Sequence, residues 1–362
     1  MTEYRNSIVL NDKVPIRLIN QPFCKKCMNK LDKSEDYCTF CLEKPHPSES
    51  DWFFNRNISL GIYQTYPNEE YNKVPLNIIS RMILILKGNV KKPKEGIGFL
   101  FSDGLFKMIK KYSFLLGDKT FLVLPPKNNI SEENQCVYFL KPLMNILAEN
   151  GYYYENISHK LKRIRDIGKN KEKNRDQRFS EIRGVHQLEE MDLMGKKVLI
   201  LDDVITTAST IWDISRELKE KNAGEINVLS LGRALIGDGN VMEDDIPSDL
   251  SFDELLIYFS NLNIILDPKN VKNVVIKDIS IADLCLNCRS NDYRIEIDFK
   301  NRVLKHNCID FNRRRYRSKT FCKHITMFFL DLKAKHGEKF AKEKLYNIYK
   351  NLIHWHFVSK EV

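Results

Sequence analysis

The chain has 362 residues, enough for two or three modules, and 43% of them are hydrophobic, enough to give each module a core. It contains no apolar run of membrane-spanning length, and residues 1–20 lack the apolar block of a signal peptide, so we expect a cytoplasmic protein without a membrane span. Nine cysteines, most of them in close pairs, favour metal ligands over disulfides, and the net charge of +10 favours a polyanionic partner such as nucleic acid.

Two C-x-x-C knuckles, ten residues apart, lie near the start of the chain. Their four thiols belong to Cys24, Cys27, Cys38 and Cys41. This spacing is typical of a tetrahedral zinc site, and a segment this short needs the metal in order to fold. We therefore predict a four-cysteine zinc ribbon over residues 1–50. Such a closed site is structural, and its surface commonly binds nucleic acid or protein.

An α/β module with a parallel sheet is predicted over residues 51–236. Short apolar runs at 121–124, 198–201 and 226–231 are typical of buried strands, and they alternate with helical patterns. Alternation of this kind predicts right-handed crossovers between parallel strands. Ligands of such open sheets bind where strands end and helices begin.

The run at 198–201 leads into Asp202 and Asp203 and then into a turn rich in hydroxyl groups. The turn supplies Thr206, Thr207, Ser209 and Thr210. The helix that follows offers free N–H groups and the positive end of its dipole, which favour a phosphate. The two acids suit the vicinal hydroxyls of a ribose, or the waters around a magnesium ion. The segment therefore predicts a site for a phosphate and a sugar.

Two other interpretations of an apolar strand ending in acids fail. A Walker B strand needs a G-x-x-x-x-G-K-[ST] loop, which this sequence lacks, and an aspartyl-phosphate phosphatase needs acids two positions apart, whereas Val204 follows the acid pair. The segment instead resembles the phosphoribosyl-pyrophosphate (PRPP) loop of type I phosphoribosyltransferases, with Ala208 where that family has glycine. The resemblance implies that Asp202 and Asp203 are catalytic and bind the ribose, and that residues 206–210 bind the 5′-phosphate.

A zinc ribbon followed by a PRPP-loop domain resembles the ComF family, which is associated with DNA uptake and is related to amidophosphoribosyltransferase-like proteins. Lys87, Arg175-Asp176-Gln177 and Arg183 are weaker matches, and the family's arginine-rich RGFNQ string is replaced by the segment 130–135. The resemblance implies magnesium bound with PRPP, and a pyrophosphate contact from Lys127 in the turn after the strand at 121–124.

Residues 160–183 carry ten Lys or Arg side chains against four acidic ones. Such a charge run is typical of a solvated helix face or a mobile loop. Alternatively, it forms a flexible hood that closes over a polyanionic ligand or contacts nucleic acid.

A linker and a helix are predicted over 237–269, with the helix at 252–262, and an α+β zinc module over 270–362. This last module contains a half-exposed strand at 293–298 and the ligand set His306, Cys308, Cys322 and His324. Two pairs of this kind can surround one zinc ion. The pattern resembles the SWIM zinc finger, with a histidine in place of its first cysteine and an apolar helix at 325–332 after the last ligand. In an alternative set, Cys285 and Cys288 bind zinc with the two later cysteines.

A basic loop lies between the two ligand pairs. It contains Arg313, Arg314, Arg315, Tyr316, Arg317 and Lys319. Arginines beside a tyrosine suit contacts with nucleic-acid phosphates and stacking on bases, although a solvated loop has the same composition. SWIM fingers are associated with binding of DNA or protein.

Two hypotheses of function follow. In the first, a ComF-like protein binds PRPP or another phosphorylated ribose and handles nucleic acid, in DNA uptake, recombination or repair. In the second, the chain is an active phosphoribosyltransferase of nucleobase or nucleotide metabolism. Both imply two zinc sites, magnesium with PRPP, and protein partners for the zinc modules.

Overall fold

A computed structural model describes most of the chain and divides it into two compact units. The described residues are 7–10, 14–17, 24, 37–38, 42, 52–64, 76–88, 91–117, 119–127, 134–168, 174–234, 250–260, 273–282, 285–290 and 292–359. The first unit comprises Met1–Asn11, Ile16–Gln64 and Ile79–Asp238, and the second comprises Asp12–Pro15, Thr65–Ile78 and Gly239–Val362. Among these described segments, none of the helices has both the length and the apolar character needed to cross a membrane.

The strands of the first part of the chain form three sheets. A two-stranded sheet contains β1 (Ser7–Leu10) and β2 (Val14–Arg17). The main sheet contains β3 (Arg56–Tyr63), β4 (Thr120–Val123), β5 (Tyr154–Asn156), β8 (Lys197–Ile205) and β9 (Glu225–Ala234), and an antiparallel pair contains β6 (Leu161–Arg163) and β7 (His186–Leu188). The main sheet has the order β3-β9-β8-β4-β5, and every neighbouring pair is parallel, as the sequence predicts.

In the part of the chain that the structure describes, five α-helices accompany this sheet. They are α1 (Ile78–Lys87), α2 (Lys91–Lys111), α3 (Val137–Glu149), α4 (Arg175–Ile182) and α5 (Ser209–Glu220). On α5, Ile211, Ile214 and Leu218 recur at helical spacing and pack in one buried cluster with Val198 and Ile200 of β8. The centre of β8 is buried on both faces, which explains why its sequence is continuously apolar rather than alternating.

The order of the strands places a topological switch point between β4 and β8. From β4 the chain passes through α3 to β5, which lies on one side of β4. From β8 it passes through α5 to β9, which lies on the opposite side of β8. Helices that leave neighbouring strands in opposite directions open a crevice beyond the carboxyl ends of those strands, and open α/β sheets bind their ligands there. The strand order alone therefore predicts a ligand-binding site at the segments that follow Val123 and Leu201.

Among the described residues, the second unit contains a five-stranded sheet and three α-helices. The strands are β10 (Ile276–Ala282), β11 (Cys285–Ser290), β12 (Tyr293–Asp298), β13 (Val303–His306) and β14 (His356–Ser359), and the helices are α6 (Phe252–Phe259), α7 (Lys323–His336) and α8 (Glu338–Lys350). Strands β10 to β13 form an antiparallel meander, and β14 joins its edge parallel to β13. The predicted strand at 293–298 and the predicted helix at 325–332 are confirmed, the helix being longer at both ends.

The predicted N-terminal ribbon falls mostly outside the described residues. Cys24 and Cys38 are described and buried, whereas Cys27 and Cys41 lie outside the described part of the chain. The linker from 237 to 249 also lies outside it, as do residues 261 and 262 at the end of the predicted helix. The zinc ribbon and the predicted domain boundaries therefore stay predictions.

Candidate functional site

The acid pair lies near the carboxyl end of β8, at the switch point. Asp203 is buried, at 8% exposure, and Asp202 is half-buried. The Oδ1 atom of Asp202 accepts a hydrogen bond of 2.8 Å from the backbone N–H of Asp203. Burial and the neighbouring charge of Asp203 raise the pKa of Asp202 to about 8. At neutral pH the Asp202 carboxyl is therefore largely protonated and can donate a hydrogen bond to a ligand as well as accept one.

The carboxylate of Asp203 has three hydrogen-bond donors. Its Oδ2 atom accepts from Nε2 of Gln135 and lies 3.2 Å from Nζ of Lys87, and its Oδ1 atom accepts from the backbone N–H of Val204 at 2.5 Å. Lys87 is the last residue of α1, and its ammonium lies 5.5 Å from the ring centre of Tyr63. Burial acts to lower the pKa of Lys87, but the charge and hydrogen bond of Asp203 outweigh it and raise the pKa.

The loop between β8 and α5 has the backbone conformation of a glycine-containing loop although it lacks glycine. Ala208 has φ 63° and ψ 14°, in the left-handed region, and α5 begins directly after it at Ser209. Holding a residue with a Cβ atom in this region costs about 1–2 kcal/mol. This is the position where the PRPP-loop pattern has glycine, so the loop keeps that shape at the cost of strain.

Arg233 lies beneath the loop and was not predicted from the sequence. It belongs to β9, opposite Ile205 in the register, and its side chain is fully buried. Its Nη1 atom donates to the carbonyl oxygen of Ile205 at 2.9 Å and to that of Thr206. Its Nε and Nη2 atoms have no hydrogen-bond partner within the described part of the chain. The guanidinium therefore holds the start of the loop and presents two further N–H donors. An arginine inside a buried strand is the signal that would have revealed it.

The basic stretch at 160–183 is partly folded over the loop. Helix α4 begins with a capping box, in which the side chains of Asn174 and Gln177 exchange hydrogen bonds with backbone N–H groups. Phe179 of α4 is buried against Trp212 of α5, with ring centres 5.6 Å apart. Nη1 of Arg178 lies 3.2 Å from Oγ1 of Thr206. Helix α4 therefore contacts the loop through Arg178, and a hood that closes over a polyanionic ligand stays a prediction.

A buried carboxylate joins the base of this hood to α5. Asp213 accepts hydrogen bonds from the backbone N–H groups of Gly184, Val185 and His186 at 2.8 to 3.1 Å, and its Oδ2 atom lies 2.8 Å from Nδ1 of His186. Burial acts to raise the pKa of Asp213, but the hydrogen bonds from His186 and Gly184 outweigh it and lower the pKa. Asp213 therefore fixes the position of the segment before β7 relative to the helix that carries the loop.

Lys127 lies half-buried in the turn after β4, at the same edge of the sheet as the acid pair. Burial raises the pKa of the nearby Cys136 thiol well above its usual value. The pyrophosphate contact of Lys127 stays a prediction.

The second unit brings together the four predicted zinc ligands. His306 ends β13, Cys308 follows it, and Cys322 and His324 lie at the start of α7. One nitrogen or sulfur atom from each residue lies within 4.8 Å of all the others, and all four residues are buried. Two thiols and two imidazoles at this separation fit a tetrahedral zinc ion.

The hydrogen bonds around the cluster also fit a metal. Nδ1 of His306 donates to the carbonyl oxygen of Arg294 at 2.7 Å, which leaves Nε2 as the ligating atom, and Nε2 is buried with no hydrogen-bond partner among the described residues. The backbone N–H of Phe311 donates to Sγ of Cys308 at 3.4 Å. A hydrogen bond from Cys322 lowers the pKa of Cys308, whereas burial raises the pKa of Cys322. At least one thiolate is thus favoured.

The alternative ligand set with Cys285 and Cys288 is not formed. Both residues lie in β11, three positions apart, so their side chains point to opposite faces of the sheet. Cys285 is half-exposed and accepts a hydrogen bond from Asn287, whereas Cys288 is buried in the apolar core of the unit. Burial raises the pKa of Cys288 to about 12, which disfavours a thiolate there.

The basic loop between the ligand pairs is ordered, and its charges differ in accessibility. Arg313 and Arg317 are exposed, and Nε of Arg317 lies 2.9 Å from the hydroxyl oxygen of Tyr316. Arg315 is paired with Asp310 at 3.2 Å. Lys319 is buried and donates to the carbonyl oxygens of Leu352 and Ile353. The side chain of Arg314 lies outside the described part of the structure.

Comparison with solved structures gives only weak similarity. Two crystal forms of a hypoxanthine phosphoribosyltransferase from Staphylococcus aureus match with TM-scores of 0.23 and 0.22 and sequence identities of 12% and 13%. The matches cover 47% and 48% of this chain, and 73% and 80% of the other chain. No protein-family model and no curated protein matches the sequence.

Similarity at this level carries no argument about activity, so the strand order and the side-chain geometry define the class of protein. The first unit is a parallel α/β domain with a cluster of charged and hydroxyl groups at its switch point. The second unit contains a buried His/Cys group that can bind a metal ion such as zinc.

Proposed function

We propose that the first unit binds PRPP, or another phosphorylated ribose, at the switch point between β4 and β8. One observation carries the proposal: an acid pair, with Asp203 buried and Asp202 half-buried, is followed by a loop that enters a helix through a left-handed residue, Ala208. The helix start supplies N–H groups for a phosphate, and carboxyl groups suit the two hydroxyls of a ribose. A site that combines both groups favours a ribose 5-phosphate moiety over a free phosphate or a free sugar.

Each group has a defined role in the reaction that the site would support. Asp202 and Asp203 would anchor the ribose hydroxyls, and the carboxylate of Asp203 would stabilise the positive charge that develops on the sugar ring as pyrophosphate leaves C1 and the acceptor bonds to it. The hydroxyls of the loop would hold the 5′-phosphate, while Arg233 and Arg178 hydrogen-bond residues of the loop. Lys127 would contact the pyrophosphate. Magnesium, when bound with PRPP, supplies charge neutralisation, and carboxylate oxygens are donors it accepts.

The assay for this proposal separates binding from turnover. PRPP binding is measured by calorimetry with magnesium, and pyrophosphate release is followed with a panel of free nucleobases. We expect Asp202→Asn and Asp203→Asn each to weaken PRPP binding by at least about tenfold, because each replaces a carboxyl group that hydrogen-bonds a ligand hydroxyl. Glu149→Ala, an exposed acid at the end of α3, is the control and should bind normally.

The outcomes assign the function. Pyrophosphate release that the two variants abolish supports an active phosphoribosyltransferase. Binding without release, with every base, supports a ribose-phosphate binding protein. A wild-type protein that neither binds PRPP nor releases pyrophosphate contradicts the proposal.

We also propose that the second unit holds a structural zinc ion and that nucleic acid binds beside it. The supporting observation is the exposure of Arg313 and Arg317 in a loop that the metal ligands hold at both ends. Guanidinium groups bind phosphates, and the net charge of +10 favours binding of a polyanion. The function would then couple a ribose-phosphate site to a nucleic-acid contact, as the resemblance to the ComF family implies.

Removing the two exposed arginines is expected to weaken DNA binding and to reduce its salt dependence. Each phosphate contact that is lost lowers the slope of log affinity against log salt by about 0.7–0.9. The double variant Arg313→Ala/Arg317→Ala is compared with Lys339→Ala/Lys350→Ala, which removes two exposed charges from α8. Fluorescence anisotropy with single- and double-stranded DNA measures the affinity of each variant and its salt dependence. If neither DNA binds the wild-type protein at low salt, the nucleic-acid proposal is wrong.

A further inference from the structure

The Oδ2 oxygen of the Asp203 carboxylate accepts hydrogen bonds from side chains of the protein itself. Its Oδ2 atom faces both the ammonium of Lys87, at 3.2 Å, and the amide Nε2 of Gln135. A carboxylate oxygen accepts about two hydrogen bonds in the plane of its lone pairs, so these two donors fill it. The other oxygen accepts from the backbone N–H of Val204. A ribose hydroxyl that hydrogen-bonds Oδ2 of Asp203 therefore has to displace one of these two side-chain donors.

Lys87 is the donor that can move. Its side chain is 35% exposed, and it extends from the last residue of α1 rather than from the middle of a helix. A lysine side chain has four rotatable bonds and is partly solvated here, so it can leave Asp203 without moving the backbone. Gln135, by contrast, precedes α3 beside Asn134, whose amide donates to the carbonyl oxygen of Pro125 and ties this segment to the turn after β4.

The chemistry of the ligand determines whether a displaced ammonium finds a new partner. In a ribose held by its 2- and 3-hydroxyls at the acid pair, C1 is the carbon next to the 2-hydroxyl. A diphosphate on C1 therefore lies within a few bonds of Asp203 and within reach of Lys87. Ribose 5-phosphate carries only a hydroxyl at C1, so an ammonium displaced by it loses an ion pair and gains none.

We propose that Lys87 determines the ligand specificity of this site: it pairs with Asp203 in the free protein and transfers to the anionic group on C1 of the ribose when PRPP binds. The inference rests on the proposed function of the first unit. Lys87 thus makes binding of the ribose conditional on a C1 anion. A ligand with only the ribose and the 5′-phosphate that binds through Oδ2 breaks the Lys87–Asp203 pair without compensation, and it binds weakly.

The test compares the affinities of two ligands for matched variants. Calorimetry measures the Kd of magnesium-PRPP and of ribose 5-phosphate for the wild type, for Lys87→Met, which keeps the length without the charge, and for Lys87→Arg, which keeps the charge. Lys110→Met on α2 is the control, because Lys110 is an exposed lysine whose ammonium lies near Phe106. We expect Lys87→Met to weaken PRPP at least tenfold and to leave ribose 5-phosphate unchanged or more tightly bound. Lys87→Arg should keep the preference for PRPP.

The outcomes separate this inference from the function on which it rests. Equal weakening of both ligands by Lys87→Met overturns it, because Lys87 would then only support the structure of the site, and unchanged affinities overturn it as well. In both cases the wild-type protein still binds PRPP, and the proposed function stands. A wild-type protein that binds neither ligand overturns both.

Discussion

Replacing Cys322 by alanine is expected to release one zinc ion per chain and to unfold much of the second unit. Cys322 is fully buried, and its sulfur lies 3.8 Å from Nδ1 of His324. Structural zinc contributes about 10–16 kcal/mol in zinc-finger peptides. The second unit also has an apolar core, which includes Phe321 and Phe329, so we expect a large fraction of that value rather than all of it.

The matched control is Cys285→Ala. Cys285 lies in the same unit, half-exposed and outside the ligand cluster, so its loss should change neither zinc content nor stability appreciably. Elemental analysis gives the zinc content, and thermal unfolding with and without a chelator gives the stability. A Cys322→Ala protein with the zinc content and melting temperature of the wild type would show that the cluster binds no metal.

Replacing Asp213 by alanine is expected to lower the free energy of unfolding of the first unit by about 3–5 kcal/mol. The change leaves three backbone N–H groups and the His186 imidazole without their acceptor in a buried region. Removing one member of a buried, hydrogen-bonded pair carries a cost of this size. The hood should also lose its fixed position over the loop, so PRPP binding, where present, should weaken too. Urea unfolding measures the first effect and calorimetry the second.

The pH dependence of Asp213 has a definite sign. Its pKa is lower in the folded protein than the ordinary value of 3.8, so its contribution to stability is complete above about pH 4 and is lost as the pH falls through the folded pKa. Glu220→Ala is the control, because Glu220 is exposed on the same helix and pairs only with Arg216 at its surface. An exposed pair contributes about 1 kcal/mol or less. If Asp213→Ala lowers the free energy of unfolding by no more than this, Asp213 does not fix the segment before β7 relative to α5.

The features that the sequence predicts are those encoded in a continuous segment. Strand β8, the acid pair and the start of α5 follow one another directly, so the edge of the sheet where they meet was predictable. The pairing of β3 with β9 was not, because β3 mixes polar residues such as Asn57 and Ser59 with apolar ones. Strand β5 has only three residues and carries no hydrophobic pattern.

Contacts between distant segments also escaped prediction. Arg233 reaches the loop from the next strand, and Gln135 reaches Asp203 from the segment before α3. Sequence spacing gives no information about such distances, since they depend on how the strands are ordered. The two interpretations of Cys285 and Cys288 illustrate the same limit. A C-x-x-C segment in a turn brings its thiols together, whereas the same segment in a strand separates them.

The parallel pairing of β14 with β13 has a consequence for biosynthesis. All four metal ligands are made before residues 356–359, so a nascent chain can acquire zinc while β13, which carries His306, still has one open edge. An unpaired edge is a template for the strands of other chains. Pairing of β14 therefore closes an edge of the sheet that metal binding by itself leaves open.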